Sequence, residues 1–312
     1  MGQFAGVAGA SGLDRQALLL PDGRTLGWAE YGEPDGLPVL FFHGTPSSRL
    51  DGYTLHDAAS ERGVRVIAPD RPGMGLSSYQ PNRRILDNNA DVEVLADQLG
   101  LERFSVLGYS GGGPYGLAAA ARLPDRVDHI VIVSGCSPPD RPDALSDTGM
   151  IDRVLTVLAQ RYPPGAGLVL RSMVLGARGF PRIGLKLWEA DLSESDREAF
   201  KAMVARAPVN PLGSFFEALR GGPHGAVRDY RLLADPWSFL PEEITAPVQF
   251  WHGDADPIVP LHHAHDLVAR MLRARLHVVP GAGHLLVRSA AESIIDELVA
   301  SAAGGVRRPA PG

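Results

Sequence analysis

One pattern constrains this chain most: short runs that are apolar on both faces alternate with stretches of helical length. The runs Val64 to Ala68 (VRVIA), Phe104 to Leu107 (FSVL), Val127 to Val133 (VDHIVIV), Val248 to Trp251 (VQFW) and Leu276 to Val279 (LHVV) read as strands. Helices are expected near Leu55 to Arg62, Asp91 to Leu99, Gly111 to Leu123, Leu261 to Leu272 and Ala290 to Ala300. A strand with no polar face needs cover on both sides, and the alternating helices supply it. The pattern therefore predicts a parallel sheet between two helical layers. Thr25 to Tyr31 (TLGWAEY), which alternates with period two, and Pro38 to Phe42 (PVLFF) read as an early strand pair.

The rhythm breaks once. From about 137 to 243 the periodicity is helical and no buried strand stands out, with Pro163-Pro164, Gly179, Pro181, Pro208, Pro211 and Gly221-Gly222 as punctuation. Residues 15–136 and 244–303 are expected to form the core, with 137–243 a helical cap inserted above the C-terminal ends of the strands. Residues 1–14 and 304–312 are expected to be disordered tails by composition. A length of 312 residues, 45% of them hydrophobic, fits one large domain carrying an insertion.

Charge and cysteine usage limit the partners. Net charge is −6, from 36 acidic and 30 basic residues, with no dense Lys/Arg run, which argues against nucleic acid. The start MGQFAGVAGASG lacks the basic and long apolar regions of a signal peptide, and Gly6 stands where a myristoylation pattern needs Ser or Thr. The apolar runs are too short to span a bilayer. Cys136 is the single cysteine, so no internal disulfide can form. The expectation is a cytoplasmic protein with a small-molecule substrate and no membrane or nucleic-acid partner.

The chemistry concentrates in a few loops. Gly108-Tyr109-Ser110-Gly111-Gly112 joins the strand FSVL to the helix-like GGPYGLAAAARL. A serine on so tight a strand-to-helix turn has strained backbone angles, so the residues two before and two after must be small, and Gly108 and Gly112 are. The turn also sets Ser110 at a helix N-terminus, where free amides and the helix dipole favour negative charge. The plainer alternative is a glycine-rich turn with an incidental serine. A serine hydroxyl needs a general base and a group to orient it. His284, in Gly281-Ala282-Gly283-His284 after LHVV, is the candidate base. The segment Trp251-His252-Gly253-Asp254-Ala255-Asp256-Pro257 offers two carboxylates. Asp256 is the favoured partner of the imidazole; Asp254 competes, with the satisfaction of loop amides as its other role. A developing oxyanion needs two amide donors. One is the N–H of Gly111; the other is expected from Thr45, in His43-Gly44-Thr45-Pro46 after PVLFF. His43 is expected to shape that loop through hydrogen bonds.

Taken together, these segments resemble the α/β-hydrolase superfamily, specifically its cap-bearing members with an HG-T-P oxyanion loop. The resemblance runs from about Thr25 to Ala300 and includes Asp70-Arg71-Pro72-Gly73-Met74-Gly75-Leu76-Ser77. It implies an α/β-hydrolase fold with a mostly parallel eight-stranded sheet, helices on both faces, the chain order serine, acid, histidine, and no metal or organic cofactor. The other place for an acid in this architecture, after VDHIVIV, reads Ser134-Gly135-Cys136 and holds no carboxylate. Ser110 in place of an elbow Asp disfavours epoxide-hydrolase and haloalkane-dehalogenase chemistry. Gly44-Thr45-Pro46 instead of Gly-Gly-Pro, with Gly111 instead of a Trp, separates the chain from prolyl aminopeptidases. The implied activity is a serine hydrolase, a carboxylic ester hydrolase first, that cleaves a small to medium, partly apolar ester-like substrate through an acyl-enzyme on Ser110. The fold also hosts C–C bond hydrolases of ring-cleavage or polyketide-type products, ligand-binding receptors and non-hydrolytic biosynthetic proteins, and these readings stand beside the first.

Tyr109, Trp188 and Phe215 are the candidate substrate contacts, with the core of the cap as the alternative place for Trp188 and Phe215. Phe180, Phe200 and Phe216 either line the same pocket or form the core of the cap. His262, His263 and His265 invite a metal reading, but they open a helix expected on the outside of the fold, with no cysteine or acidic ligand set beside them. Gly73-Met74-Gly75 lacks the third glycine and the helix of a dinucleotide site. Arg49 is expected to brace a helix start, with a substrate carboxylate as its alternative partner.

Overall fold

The computed structural model describes residues 13–140, 148–180, 186, 189, 192–206 and 212–305. Trp188 and nearly all of both expected tails lie outside these residues.

Among the described residues, strands β1 (Gln16–Leu19), β2 (Thr25–Gly32), β3 (Leu37–Phe42), β4 (Val64–Pro69), β5 (Phe104–Tyr109), β6 (Val127–Val133), β7 (Val248–Gly253) and β8 (Ala274–Val279) form one sheet. Their spatial order is β1-β2-β4-β3-β5-β6-β7-β8. β2 pairs antiparallel with both β1 and β4, and the remaining neighbours are parallel. This is the eight-stranded, mostly parallel sheet the resemblance implies. The early pair differs: β2 and β3 are not neighbours, because β4 lies between them. The chain leaves β3 through the helix His56–Glu61 and returns parallel to it, so β4 takes the edge a β2–β3 hairpin would need. The turn after β2 is already fastened to the start of β4, where Glu33 N–H donates to Val64 O (2.8 Å) and Leu37 N–H donates to Gly63 O (2.8 Å).

The inner strands β3 to β6 are buried on both faces over most of their length, as their apolar runs require, while the edge strands β1 and β8 hold no fully buried residue. β3 sends Leu40 and Phe42 to one face, with Ile67 and Val106, under the helices Ile85–Gln98, Gly113–Arg122 and His262–Arg270. It sends Val39 and Phe41 to the other, with Val66 and Leu107, under His56–Glu61 and Ala291–Gly305. Each such side chain contributes about 1.5–3 kcal/mol on leaving water.

Between β6 and β7 the described residues form the helices Met150–Arg161, Pro163–Gly179, Glu194–Arg206, Gly213–Ala218 and His224–Ala234. All but Glu194–Arg206 share a small apolar cluster that includes Leu155, Leu170, Phe215 and Tyr230, whereas Phe200 of Glu194–Arg206 packs with Leu192 and Leu285. No helix among the described residues is long and apolar enough to cross a membrane.

Candidate active site

β5 is buried along its whole length and stops at Tyr109. Ser110 follows with φ 52°, in the left-handed region that side chains normally avoid. Such a conformation costs on the order of 1–3 kcal/mol and persists only where the surroundings enforce it. Here β5 ends and the helix Gly113–Arg122 begins within three residues, through the 3-10 turn Ser110–Gly112. The turn leaves the Ser110 hydroxyl at the C-terminal edge of the sheet.

Two further strand ends deliver partners to that edge. His284, after β8, places Nε2 2.9 Å from Ser110 Oγ. Its Nδ1 lies 2.8 Å from Asp256 Oδ2, in the loop after β7. The other Asp256 oxygen accepts the N–H groups of Ile258 (2.9 Å) and Val259 (3.0 Å), so the carboxylate is held from behind. With the Asp256 carboxylate as acceptor, Nδ1 carries the proton and Nε2 presents its lone pair to the serine. Burial disfavours the charged imidazole, but the charge and hydrogen bond of Asp256 outweigh it, and the His284 pKa is raised above its ordinary value. Burial likewise pushes Asp256 up, and the His284 charge and hydrogen bond bring it below the usual carboxylate range. Asp254 stays outside this chain: its Oδ1 accepts the Gly281 N–H at 2.6 Å.

The loop after β3 lies opposite. Gly111 allows it to come close, since a β-carbon on Gly111 would sit 2.6 Å from Thr45 Oγ1. His43 is fully buried, donates from Nδ1 to Gly44 O at 2.9 Å, and accepts the Arg71 N–H at 3.4 Å. Burial and the nearby Arg71 charge hold its pKa well below the ordinary histidine value, so it stays neutral. Arg71, from the D-R-P-G segment, donates to His43 O, to Gly44 O (2.8 Å) and to Thr45 Oγ1 (2.6 Å). Its Nε donates to Asp229 Oδ2 at 2.6 Å, on the inserted helix His224–Ala234. Asp229 is fully buried and also accepts from Arg83 and from Tyr115 Oη (2.8 Å). Burial alone would raise its pKa; Arg71 and Arg83 bring it down to about 2.

A cavity of about 150 Å³ opens onto Ser110 and His284. Thr45 and Tyr109 line it from the sheet side, and Leu155, Met173, Phe200 and Phe215 line it from the insert. Two polar pairs sit among them: Tyr230 Oη donates to Asp152 Oδ1 at 2.6 Å, and Arg288 Nη2 to Asp51 Oδ1 at 2.8 Å. Phe216 packs in the cluster of the insert, and Phe180 is exposed.

Two other expectations resolve. Arg49 is buried and donates to Asp70 Oδ2 (2.8 Å), Glu217 Oε1 (2.9 Å) and Asp14 O (2.8 Å), so it is a brace. His263 is not on the outside: it is buried, with Nδ1 accepting the Ser137 N–H at 3.1 Å, because the start of its helix faces the loop after β6. Among the described residues, no group of three or more His, Cys, Asp or Glu side chains is placed to share an ion.

Sequence reasoning missed Asp229 and a second insert carboxylate, Asp196. Asp196 accepts the N–H groups of His284 (2.8 Å) and Leu285 (2.7 Å). The available signal was an acid on the buried side of each helix.

Residues 38–288 match the family model described as alpha/beta hydrolase fold. An uncharacterized hydrolase, YcgS, of Bacillus subtilis (strain 168) is 27% identical over 279 residues, spanning 85% of this chain and 90% of that protein. Among solved structures, the enol-lactonase from Burkholderia xenovorans LB400 superposes with a TM-score of 0.67 at 18% identity, covering 92% of this chain and 100% of its own. The esterase RhEst1 from Rhodococcus sp. ECU1013 does so with 0.66 at 20% identity, covering 93% and 98%.

Proposed function

The chain belongs to the α/β hydrolase fold family, and on that premise we propose that it is a serine hydrolase cleaving a small to medium, partly apolar ester-like substrate. One observation carries the reading: Ser110, His284 and Asp256 stand in a continuous hydrogen-bonded line beside a cavity lined by apolar side chains and two polar pairs.

The chemistry runs in two steps. His284 Nε2 takes the Ser110 proton as Oγ attacks the carbonyl carbon, and the N–H groups of Thr45 and Gly111 receive the oxyanion. The imidazolium then gives its proton to the leaving alkoxide, leaving an acyl group on Ser110. Water, deprotonated by the same nitrogen, attacks that acyl group, and the proton returns to Ser110 as the acid departs. Asp256 stays ionised throughout and fixes the tautomer. The Arg71 fork stiffens the loop that presents Thr45. The inserted helices act as a cap whose apolar side chains, Phe215 among them, limit the acyl chain.

An acyl-chain series of p-nitrophenyl esters, run on the wild type and on Ser110→Ala, tests this. Turnover is expected to favour short to medium chains and to fall by about 10⁵–10⁶ in the variant. Labelling of Ser110 by a fluorophosphonate without ester turnover would point away from ester cleavage, toward the C–C hydrolase or receptor readings.

A further inference from the structure

The mechanism above leaves one buried carboxylate beside the base without a part. Asp196 lies in the first turn of the helix Glu194–Arg206 and is almost wholly buried. Ser193 caps that helix by accepting the Asp196 N–H at 3.1 Å. In the usual capping pair the third-position carboxylate turns back onto the N–H of the capping residue. Asp196 leaves its own helix instead. Oδ2 accepts the His284 N–H at 2.8 Å and Oδ1 the Leu285 N–H at 2.7 Å, 88 and 89 residues further along the chain. Gly283 makes this approach feasible, because a β-carbon there would overlap both the Asp196 carboxylate and the Ser193 hydroxyl.

We propose that Asp196 is a positioning residue for His284: the insert clamps the main chain of the base in the register that sets Nε2 against Ser110 Oγ. The inference rests on the hydrolase reading of the preceding section. It makes the seating of the insert and the readiness of the base a single condition, since lifting the helix Glu194–Arg206 removes both amide anchors at once. The clamp also adds negative charge beside an imidazole that turns cationic during the reaction. The charged and titratable groups around His284 are Asp256 from the loop after β7, Asp152 from Met150–Arg161, Asp196 from Glu194–Arg206, His252 behind Asp256, and the ring of Tyr109 at 5.5 Å. Arg288, paired with Asp51, lines the same cavity.

The test uses the full chain with Asp196→Asn, Asp196→Ala and, as a control that removes the helix cap and its bond to Ser195 Oγ but keeps the carboxylate, Ser193→Ala. Asparagine keeps an acceptor for one amide and removes the charge. The His284 pKa is read by NMR titration of the imidazole, assigned with His284→Gln, so no substrate is needed. In parallel, kcat and KM for p-nitrophenyl butyrate are normalised to sites titrated with a fluorophosphonate. In Asp196→Asn the His284 pKa is expected to fall by roughly 0.5–1 unit, because a negative charge that favoured the imidazolium is gone. Per-site kcat should fall about 10-fold in Asp196→Asn and about 100-fold in Asp196→Ala, with KM within about 2-fold, as for loss of an orienting group. Ser193→Ala should leave the His284 pKa unmoved. A merely structural carboxylate would lower the number of titratable sites and leave per-site kcat, read on the plateau well above the His284 pKa, unchanged, and that result overturns the proposal. In a protein that hydrolyses no ester, a per-site fluorophosphonate labelling rate at high pH that falls in Asp196→Asn and Asp196→Ala would uphold the positioning role and overturn the ester reading instead.

Discussion

Replacing Asp256 with asparagine separates the two carboxylates of the loop after β7 and has a magnitude that follows from geometry. Oδ1 of Asp256 accepts two amides, from Ile258 and Val259. An asparagine in that place must keep its carbonyl oxygen there, because the flipped amide would set a donor against two donors, at about 1–3 kcal/mol for each group left unpaired. The NH₂ group then faces His284 Nδ1 across the 2.8 Å now spanned by the carboxylate. Nδ1 must accept, so the imidazole proton moves to Nε2 and points at Ser110 Oγ. The base has become a donor. Loss of this kind costs on the order of 10⁴ in kcat, or about 5 kcal/mol of barrier. The fold should survive, since the two loop bonds remain, and KM should change little because Asp256 does not line the cavity. In Asp254→Asn the amide oxygen still receives the Gly281 N–H, and kcat should stay within about 3-fold, a loss of under 1 kcal/mol. The assay is p-nitrophenyl butyrate turnover at saturating substrate, with circular dichroism as the control for folding. Greater damage from Asp254→Asn, or retention of a tenth of the rate by Asp256→Asn, would refute the reasoning.

On the acid side, kcat/KM should rise with unit slope on a log plot and level off above the ~6.5 of a free imidazole, because the raised His284 pKa extends the protonated, inactive form to higher pH; a flat profile from pH 5 to 9 would remove His284 as base. EDTA should leave that profile unchanged, as the reaction proposed uses only side-chain and backbone groups. Phe215→Leu should move the chain-length optimum of an ester series toward longer acyl groups, by up to about 1–3 kcal/mol in relative kcat/KM for each methylene admitted; an unchanged optimum would remove Phe215 from the acyl site. Gly283→Ala should expel the Asp196 carboxylate and lower both per-site kcat and Tm, the latter by roughly 2–10 °C for about 1–3 kcal/mol lost; differential scanning calorimetry together with turnover checks it.

What the sequence made legible was local. The elbow is written in five adjacent residues because the turn geometry itself requires small neighbours around Ser110, and the loops carrying His43-Gly44-Thr45 and Gly283-His284 follow apolar strands directly. The strand run also carried the fold class. Neighbour order was not readable in the same way: an extended segment does not encode which edge it will meet, and β4 entered between β2 and β3. The insert carboxylates were hidden for a related reason. Ser193 and Asp196 have the spacing of a local cap; the buried side of the helix could flag the acid, but its partners lie far along the chain and only the tertiary contact identifies them. His263 was misplaced because a helix opening with three histidines looks solvated until the loop after β6 closes over it.

If Ser110 carries the acyl group, covalent trapping will find it there. The wild type and Ser110→Ala are treated with a fluorophosphonate, then read by intact mass and peptide mapping. One adduct per wild-type chain is expected, on the peptide holding Ser110, and none on the variant, with a labelling rate that falls at low pH as His284 takes up a proton. A folded wild type that takes no label, or a Ser110→Ala protein that still labels and still turns over ester, would contradict that role for Ser110.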